Sequence, residues 1–271
     1  MPFSIPLPLF RYLLKFSARI QHVAEPASGI VEKIGEFDFS PEESNVILRI
    51  ERVRDSLGGR TERIAVRDFG AGEKGMRTMF RSSANKAGRS ISSIYRTSSV
   101  PSHWGLFLFF LVRQVKPRSV VELGTNLGVS AMYIQAALDM NGNKSSFSSI
   151  EGDPTLADIA RESVGRISSS RFEVVNGRFQ DVLPAVLQKL TPIQLVFIDG
   201  HHEEAAMLRY YHSILPFLDR NSVVVFDDLY PWNIGLRRAW SKIRHDEPAA
   251  VAVDFAKFGL LFHDGTRKNL A

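Results

Sequence analysis

Residues Val120 to Ser130 read Val-Val-Glu-Leu-Gly-Thr-Asn-Leu-Gly-Val-Ser, and this stretch decides the fold. An apolar strand ends near the acidic residue Glu122, a turn runs from Gly124 to Gly128, and a helix begins after it. Glycines let the backbone bend sharply and come close to a ligand, and the amides that open a helix can host a negative group. The stretch therefore predicts a nucleoside ligand at the carboxyl edge of a parallel sheet.

The spacing of the glycines argues against a dinucleotide. That fingerprint is G-x-G-x-x-G, and counting from Gly124 places Asn126 and Val129 at the second and third glycine positions. The pattern present is E-x-G-x-x-x-G. By itself it is a weak signal, because a glycine turn that binds nothing also fits it. A nicotinamide-dependent dehydrogenase is therefore the least favoured enzyme class, and the rest of the chain must decide.

Composition sets the broad class. The chain has 271 residues, 44% hydrophobic and 23% charged, as in ordinary globular proteins. It has no cysteine, which excludes disulfides, cysteine-ligated metals and cysteine nucleophiles. The first twenty residues lack the order of a signal peptide, and no run reaches the roughly 18 apolar residues of a membrane span. We expect a cytoplasmic protein without a transmembrane segment.

The net charge of +5 is unevenly distributed. Between Glu73 and Glu122 there is no acidic residue, and the basic residues there are Lys74, Arg77, Arg81, Lys86, Arg89, Arg96, Arg113, Lys116 and Arg118. Such a stretch can meet RNA or another anionic partner. Its many serines fit a solvated linker equally well.

The order of elements predicts two regions. Residues 1–100 are expected to form a mainly helical extension or cap, in which Ser40-Pro41-Glu42-Glu43 is a helix start. Residues 101–271 are expected to form the ligand-binding domain, because apolar strands alternate there with helices. The expected strands are 119–123, 147–151, 172–175, 195–199 and 222–227, with a closing hairpin at 249–254 and 259–263. This is a Rossmann-like α/β fold, a mostly parallel seven-stranded sheet with helices on both faces.

Four motifs occur in order: Glu122-Leu-Gly-Thr-Asn-Leu-Gly128, Ile150-Glu-Gly-Asp153, Val196-Phe-Ile-Asp-Gly-His-His202 and Val225-Phe-Asp-Asp-Leu229. Together they resemble the class I S-adenosylmethionine-dependent methyltransferases, and within them the small O-methyltransferases similar to catechol O-methyltransferase (bacterial methyltransferase family 24). The resemblance covers roughly residues 118–263. It implies a methyltransferase that binds S-adenosylmethionine.

The strand ends then supply candidate cofactor contacts: Glu122, Gly124, Thr125, Asn126, Gly128, Ser130, Glu151, Gly152, Asp153, Gly177, Arg178, Phe179, Asp199 and His201. Glu151 has the most specific reading, since an acid that ends the second strand can accept both ribose hydroxyls. Asp153 fits a helix-start acid better. Phe179 is expected either to pack on the adenine or to join the core.

In metal-dependent members of this group, an acid after the fourth strand and an acidic pair after the fifth hold a divalent cation. The resemblance places Asp199, Asp227 and Asp228 there, and oxygen ligands suit Mg²⁺ or another hard divalent cation. The alternative is that Asp199 contacts the cofactor while Asp227 and Asp228 cap the next loop.

The proton acceptor is sought beside Asp199. The lysine that the family carries three residues after its first metal acid is absent, and His202 stands at that position. A histidine can accept a proton near neutral pH. His201 is the rival, although it can instead face the methionine part of the cofactor. The candidate catalytic residues are therefore His202, His201 and Asp199.

The leading hypothesis is O-methylation of a small-molecule or conjugated hydroxyl. The alternatives are an RNA methyltransferase that uses the basic stretch 74–118, and a non-catalytic binding module on the same fold. The motifs do not identify the acceptor. Assembly as a homodimer is left open.

Overall fold

The computed structural model describes residues 27–36, 39–67, 88–142, 144–170, 172–247 and 250–263. Its helices are α1 (Ala27–Glu36), α2 (Pro41–Gly59), α3 (Ile91–Ser98), α4 (Ser102–Val115), α5 (Val129–Met140), α6 (Pro154–Gly165), α7 (Phe179–Leu190), α8 (Glu204–Ile214) and α9 (Ile234–Asp246). Its strands are β1 (Arg63–Ile64), β2 (Arg89–Ser90), β3 (Ser119–Leu123), β4 (Ser146–Glu151), β5 (Phe172–Asn176), β6 (Ile193–Ile198), β7 (Leu218–Phe226), β8 (Val251–Asp254) and β9 (Gly259–Phe262).

Seven strands form the central sheet in the order β5-β4-β3-β6-β7-β9-β8. The five strands from β5 to β7 are parallel, and β9 runs antiparallel to both β7 and β8. The predicted seven-stranded α/β fold is confirmed. The order reverses between β3 and β6, because β4 and β5 continue to one side and β7 to the other. A ligand crevice is expected at such a switch point, beyond the carboxyl ends of the strands.

Both faces of the sheet are covered. Successive strand residues point to opposite faces, so Val120 and Phe197 pack into one hydrophobic cluster while Val121 and Val196 pack into the other. Helices α4 and α5 cover the first face, and α7, α8 and α9 cover the second. Because neither face meets water, the central strands read as continuous apolar runs.

The helices before residue 100 share the first of these clusters. Ile50 of α2 and Ile94 of α3 are buried in the same cluster as Phe107 of α4. Glu51 of α2 ties the helices together, since its carboxylate accepts hydrogen bonds from the Ser102 hydroxyl at 3.1 Å and from the Tyr133 hydroxyl. The described part of the predicted extension is thus packed against helices α4 and α5, which cover the sheet.

The most apolar helix, α4, belongs to the core. Phe107 and Phe109 have no exposed surface. Among the described residues, none of the helices combines the length and apolar character needed to cross a membrane.

The predicted helix start at Ser40 is confirmed, and a proline ends a later helix. Ser40 caps α2: its hydroxyl accepts the Glu43 amide at 3.1 Å, and the Glu43 carboxylate accepts the Ser40 amide at 3.0 Å. Helix α8 ends at Ile214, and the 3₁₀ turn Leu215–Phe217 follows it. Pro216 is the cause, because proline lacks the amide that would continue the helix.

The glycine turn after β3 fits tightly against the loop after β6. Gly124 has φ +103°, and a Cβ added there would lie 1.9 Å from the Asp199 carbonyl oxygen. The Asp199 amide donates to the Leu123 carbonyl at 2.9 Å, and the Gly124 amide donates to the Ile150 carbonyl at 3.0 Å. The glycine thus allows three strand ends to touch, and its predicted close approach to a ligand stays a prediction.

We predict that Gly124→Ala destabilises the protein by about 3 kcal/mol or more, since it adds a backbone clash to an unfavourable φ. Gly142→Ala is the matched control. Gly142 also has positive φ, +67°, but nothing lies within 4 Å of its added Cβ, so only about 1 kcal/mol of backbone strain is expected. Urea unfolding of both variants measures the difference, and equal losses would contradict the packing role of Gly124.

Candidate functional site

Glu122 is the buried centre of the glycine turn. It has no exposed surface, and its two carboxylate oxygens accept hydrogen bonds at 2.5 Å from the Ser130 and Ser149 hydroxyls. Burial, with a contribution from the Glu151 charge, raises the pKa of Glu122 from 4.5 to about 7. The Thr125 hydroxyl contacts Ser149 in turn. Sequence reasoning missed Ser149, since nothing marks a mid-strand serine as a partner of this acid.

Glu151 ends β4 and faces the same turn. Its carboxylate accepts the Asn126 amide on one oxygen at 2.8 Å and the Asp153 amide on the other at 2.9 Å. Burial raises the pKa of Glu151 above its ordinary value. Each carboxylate oxygen can accept more than one hydrogen bond, and the residue is only partly buried. It can therefore receive two further donors from a ligand.

Asp153 is engaged by the protein itself. It caps α6 by accepting the Thr155 amide at 2.9 Å and the Leu156 amide at 3.1 Å, and it accepts the Arg67 amide at 2.8 Å. It is buried, with 2% of its surface exposed. These contacts explain the acid as a helix cap, which was the better of its two sequence readings. The adjacent Gly152 remains at the edge of the site.

The loop after β5 meets the loop after β6 through an aromatic contact. The Phe179 ring packs edge-on against Tyr210, with centroids 5.4 Å apart at 83°. It also lies against Gly200, where an added Cβ would be 2.7 Å from the ring. Gly177 has little room for a side chain, because its Cβ would meet Val182 at 2.4 Å. Arg178 precedes α7 and is exposed.

The two histidines differ in their surroundings. His201 has φ +57° and its Nδ1 lies 2.9 Å from the Tyr210 hydroxyl, so its ring is held against α8. His202 is more exposed, and its Nδ1 lies 3.4 Å from an Asp228 carboxylate oxygen. A histidine beside a carboxylate is the arrangement in which the acid can orient the ring for proton transfer.

Asp199, Asp227 and Asp228 converge at the ends of β6 and β7. Burial raises the pKa values of Asp199 and Asp227, and the Asp227 and Asp228 charges raise the pKa of Asp199 further. Sequence reasoning missed the cation that lies among them. The Lys257 Nζ is 2.5 Å from Asp227 Oδ1 and 3.1 Å from Asp228 Oδ1.

The Lys257 ammonium lies where a metal ion bound by Asp227 and Asp228 would lie. Mg²⁺ and Ca²⁺ bind oxygen at about 2.0–2.6 Å, and the ammonium stands 2.5 Å from Asp227 Oδ1. The same oxygen accepts the Asp228 amide at 2.5 Å. Across the described ranges, no group of three or more His, Cys, Asp or Glu residues is arranged to hold a metal ion. The residues present therefore do not support a divalent cation here.

A small recess of about 10 Å³, room for roughly one water molecule, lies beside the glycine turn. Its lining is Ser98, Ser99, Val100, Gly124, Thr125, Asn126, Leu127, Val129, Ser130 and Asp199. The first three residues come from the end of α3 and the connection to α4. The region expected as a cap thus contributes a wall of the site, which sequence spacing alone had not indicated.

The basic stretch is described only in part. Residues 74–87 lie outside the described residues. Arg113 is used internally, since it pairs with Glu43 at 3.0 Å and donates to the Asn141 side chain at 2.7 Å. The described portion therefore gives no added support to an RNA-binding face.

We predict that Glu122→Gln removes part of the pH dependence of stability. The folded protein holds the Glu122 proton up to about pH 7, whereas the unfolded chain releases it near its ordinary pKa. Stability from this group is complete at low pH and is lost as pH rises between the two values. The loss is about 3 kcal/mol at roughly 1.4 kcal/mol per pKa unit.

Urea unfolding from pH 4 to pH 8 measures this difference between the wild type and Glu122→Gln. The exposed Asp158→Asn variant is the control. If the free energy of unfolding changes with pH in the same way for the wild type and Glu122→Gln, this carboxyl is ionised in the folded protein and the prediction is wrong.

Comparison with known proteins agrees with this geometry. Residues 121–229 match the model of a family described as a methyltransferase domain. A catechol O-methyltransferase of Niastella koreensis is 26% identical over 133 residues, which make up 48% of this chain and 58% of the relative. A catechol O-methyltransferase of Mycobacterium tuberculosis is 30% identical over 132 residues, 48% of this chain and 57% of that relative. The matches thus span less than two thirds of either relative.

The fold agrees with a solved structure as well. The O-methyltransferase of Bacillus cereus, determined in complex with S-adenosylhomocysteine (SAH), aligns with a TM-score of 0.52 at 24% identity, over 61% of this chain and 82% of that one. The sheet order and the matched segment lead to the same assignment. Residues 121–229 match the methyltransferase domain family, and the fold that carries them is similar to that of the Bacillus cereus O-methyltransferase.

Proposed function

We propose that this protein is an S-adenosylmethionine-dependent O-methyltransferase that acts on the hydroxyl of a small or conjugated molecule. One observation carries the proposal: the glycine turn, Glu151 and the His202–Asp228 pair lie at the same edge of the sheet. Glu151 there can accept hydrogen bonds from ribose hydroxyls. The turn lines a pocket together with Asp199. The two curated relatives are catechol O-methyltransferases, which supports an acceptor with a hydroxyl group.

The cofactor is assigned to the sheet edge that runs from the glycine turn to Glu151. Glu151 would accept the ribose hydroxyls, because its two oxygens are fixed by backbone amides. The backbone of residues 124–127 and the Ser130 side chain would line the methionine end. Phe179 and the neighbouring Gly177 and Arg178 stand where a nucleobase would lie. The negative charges of Asp227 and Asp228 beside Asp199 favour a ligand with a positive charge.

S-adenosylmethionine supplies an activated methyl group, so the protein must align the acceptor and remove its proton. His202 would take the hydroxyl proton, since it is exposed and oriented by Asp228 at 3.4 Å. His201 is bound to Tyr210 and would shape the pocket wall. Asp199 lies between these histidines and the glycine turn, where it would contact the cofactor.

Three finer statements complete the proposal. The partner is a small molecule, and no described residue favours a nucleic acid over it. A cytoplasmic location stays a prediction from the sequence, and assembly as a homodimer stays open. A divalent cation has no part in the steps above, because Lys257 stands at the predicted metal acids.

We predict that SAH binds the wild-type protein in a calorimetric titration. Glu151→Gln should weaken binding about tenfold, the effect of losing one charge-assisted hydrogen bond of roughly 1.4 kcal/mol. Asp158→Asn, which changes an exposed acid on α6, should bind as the wild type does. Absence of heat with the folded wild type would rule out the proposed function.

His202→Asn is expected to lower the kcat for methylation of catechol by about a hundredfold or more, since general-base catalysis contributes at least this much. SAH affinity should stay unchanged. His201→Asn is the matched control and should lose much less, because that ring is bound to Tyr210. Radiolabelled methyl transfer gives both rates, and a larger loss in His201→Asn would reverse the assignment.

A further inference from the structure

Lys257 is a buried cation that the sequence motifs do not mark. It lies in the turn between β8 and β9, and only 6% of its side chain is exposed. Its ammonium contacts Asp227 and Asp228, and it lies 5.3 Å from the Tyr230 ring centroid and 5.5 Å from that of Phe258. Carboxylates and aromatic faces all attract a positive charge, so this position is built for a permanent cation.

The lysine is also fixed through its backbone. The Lys257 amide donates to the Phe255 carbonyl at 2.8 Å, and the Leu229 amide donates to the Lys257 carbonyl at 2.9 Å. The second bond joins the hairpin turn to the segment that directly follows Asp227 and Asp228. The ammonium and the two acids are therefore held together by main-chain contacts as well as by charge.

The contact continues from Lys257 to the candidate base. Lys257 binds one oxygen of Asp228 at 3.1 Å, and the other oxygen lies 3.4 Å from His202 Nδ1. Asp228 is partly exposed and has φ +56°, a strained backbone conformation that neighbouring contacts must maintain. The contact with the ammonium therefore holds the Asp228 carboxylate in the orientation that faces the histidine.

We propose that the Lys257 ammonium replaces the divalent cation of the metal-dependent relatives, and that it acts as a positioning residue that holds Asp228 beside His202. This inference rests on the proposed methyl-transfer function. It means that the chain keeps the acidic pair of a metal site but fills the place with a charge of its own.

The test is a titration with Mn²⁺ in the absence of cofactor. The electron paramagnetic resonance signal of unbound Mn²⁺ measures how much of the ion the protein binds. The wild type should leave the signal unchanged. Lys257→Met, a neutral side chain of similar length, should gain one Mn²⁺ per chain, and Mn²⁺ should raise its unfolding temperature. Lys257→Arg is the control that keeps a cation, and it should bind no Mn²⁺.

The positioning role has its own readout. Lys257→Met should methylate catechol at least about tenfold more slowly with unchanged SAH affinity, and Mn²⁺ should restore its rate. One Mn²⁺ bound per wild-type chain and lost in Asp227→Asn would overturn the proposal, as would a folded Lys257→Met that binds none. If Lys257→Met does not fold, the Mn²⁺ titrations of the wild type and of Lys257→Arg test the proposal, and Mn²⁺ binding by either protein overturns it. Failure of SAH binding would reject the methyl-transfer function. The Mn²⁺ titration would still show whether Lys257 occupies a cation site.

Discussion

The site depends on the close contact between Gly124 and the backbone of Asp199. A Cβ at Gly124 would lie 1.9 Å from the Asp199 carbonyl oxygen, so only glycine lets the turn after β3 rest against the loop after β6. This contact brings two neighbouring strand ends to hydrogen-bonding distance at the point where the strand order reverses. The Glu122 carboxylate, buried behind the turn between two serines, then holds β4 and the start of α5 to it.

The sequence predicted the architecture well because its signals are local. The Ser40–Glu43 capping box, the apolar strands and the acids or glycines at the strand ends all depend on neighbours a few positions away. Two parts depended on contacts far apart in the chain. Lys257 pairs with Asp227 from 30 positions away, and Ser98 joins a pocket with Gly124 across a helix and a strand. Neither contact leaves a periodic pattern that one sequence can show.

Lys257 changes the role that is inferred for the acidic pair after β7. From the motif alone, Asp227 and Asp228 suggest ligands of a divalent cation. With the ammonium 2.5 Å from Asp227, the same acids form an internal ion pair, and Asp228 also lies 3.4 Å from His202 Nδ1. Taking carboxylates out of water is costly unless a cation accompanies them, so the lysine also explains how such acids are tolerated at this edge. A shared motif therefore need not imply a shared metal.

The central claim is that S-adenosylmethionine binds between the glycine turn and Glu151. A crystal structure of the protein with SAH tests it most directly. The account predicts both ribose hydroxyls within hydrogen-bonding distance of the Glu151 carboxylate, and the sulfur near Asp199 on the side that faces His202. SAH bound elsewhere, or a ribose that does not touch Glu151, would contradict it.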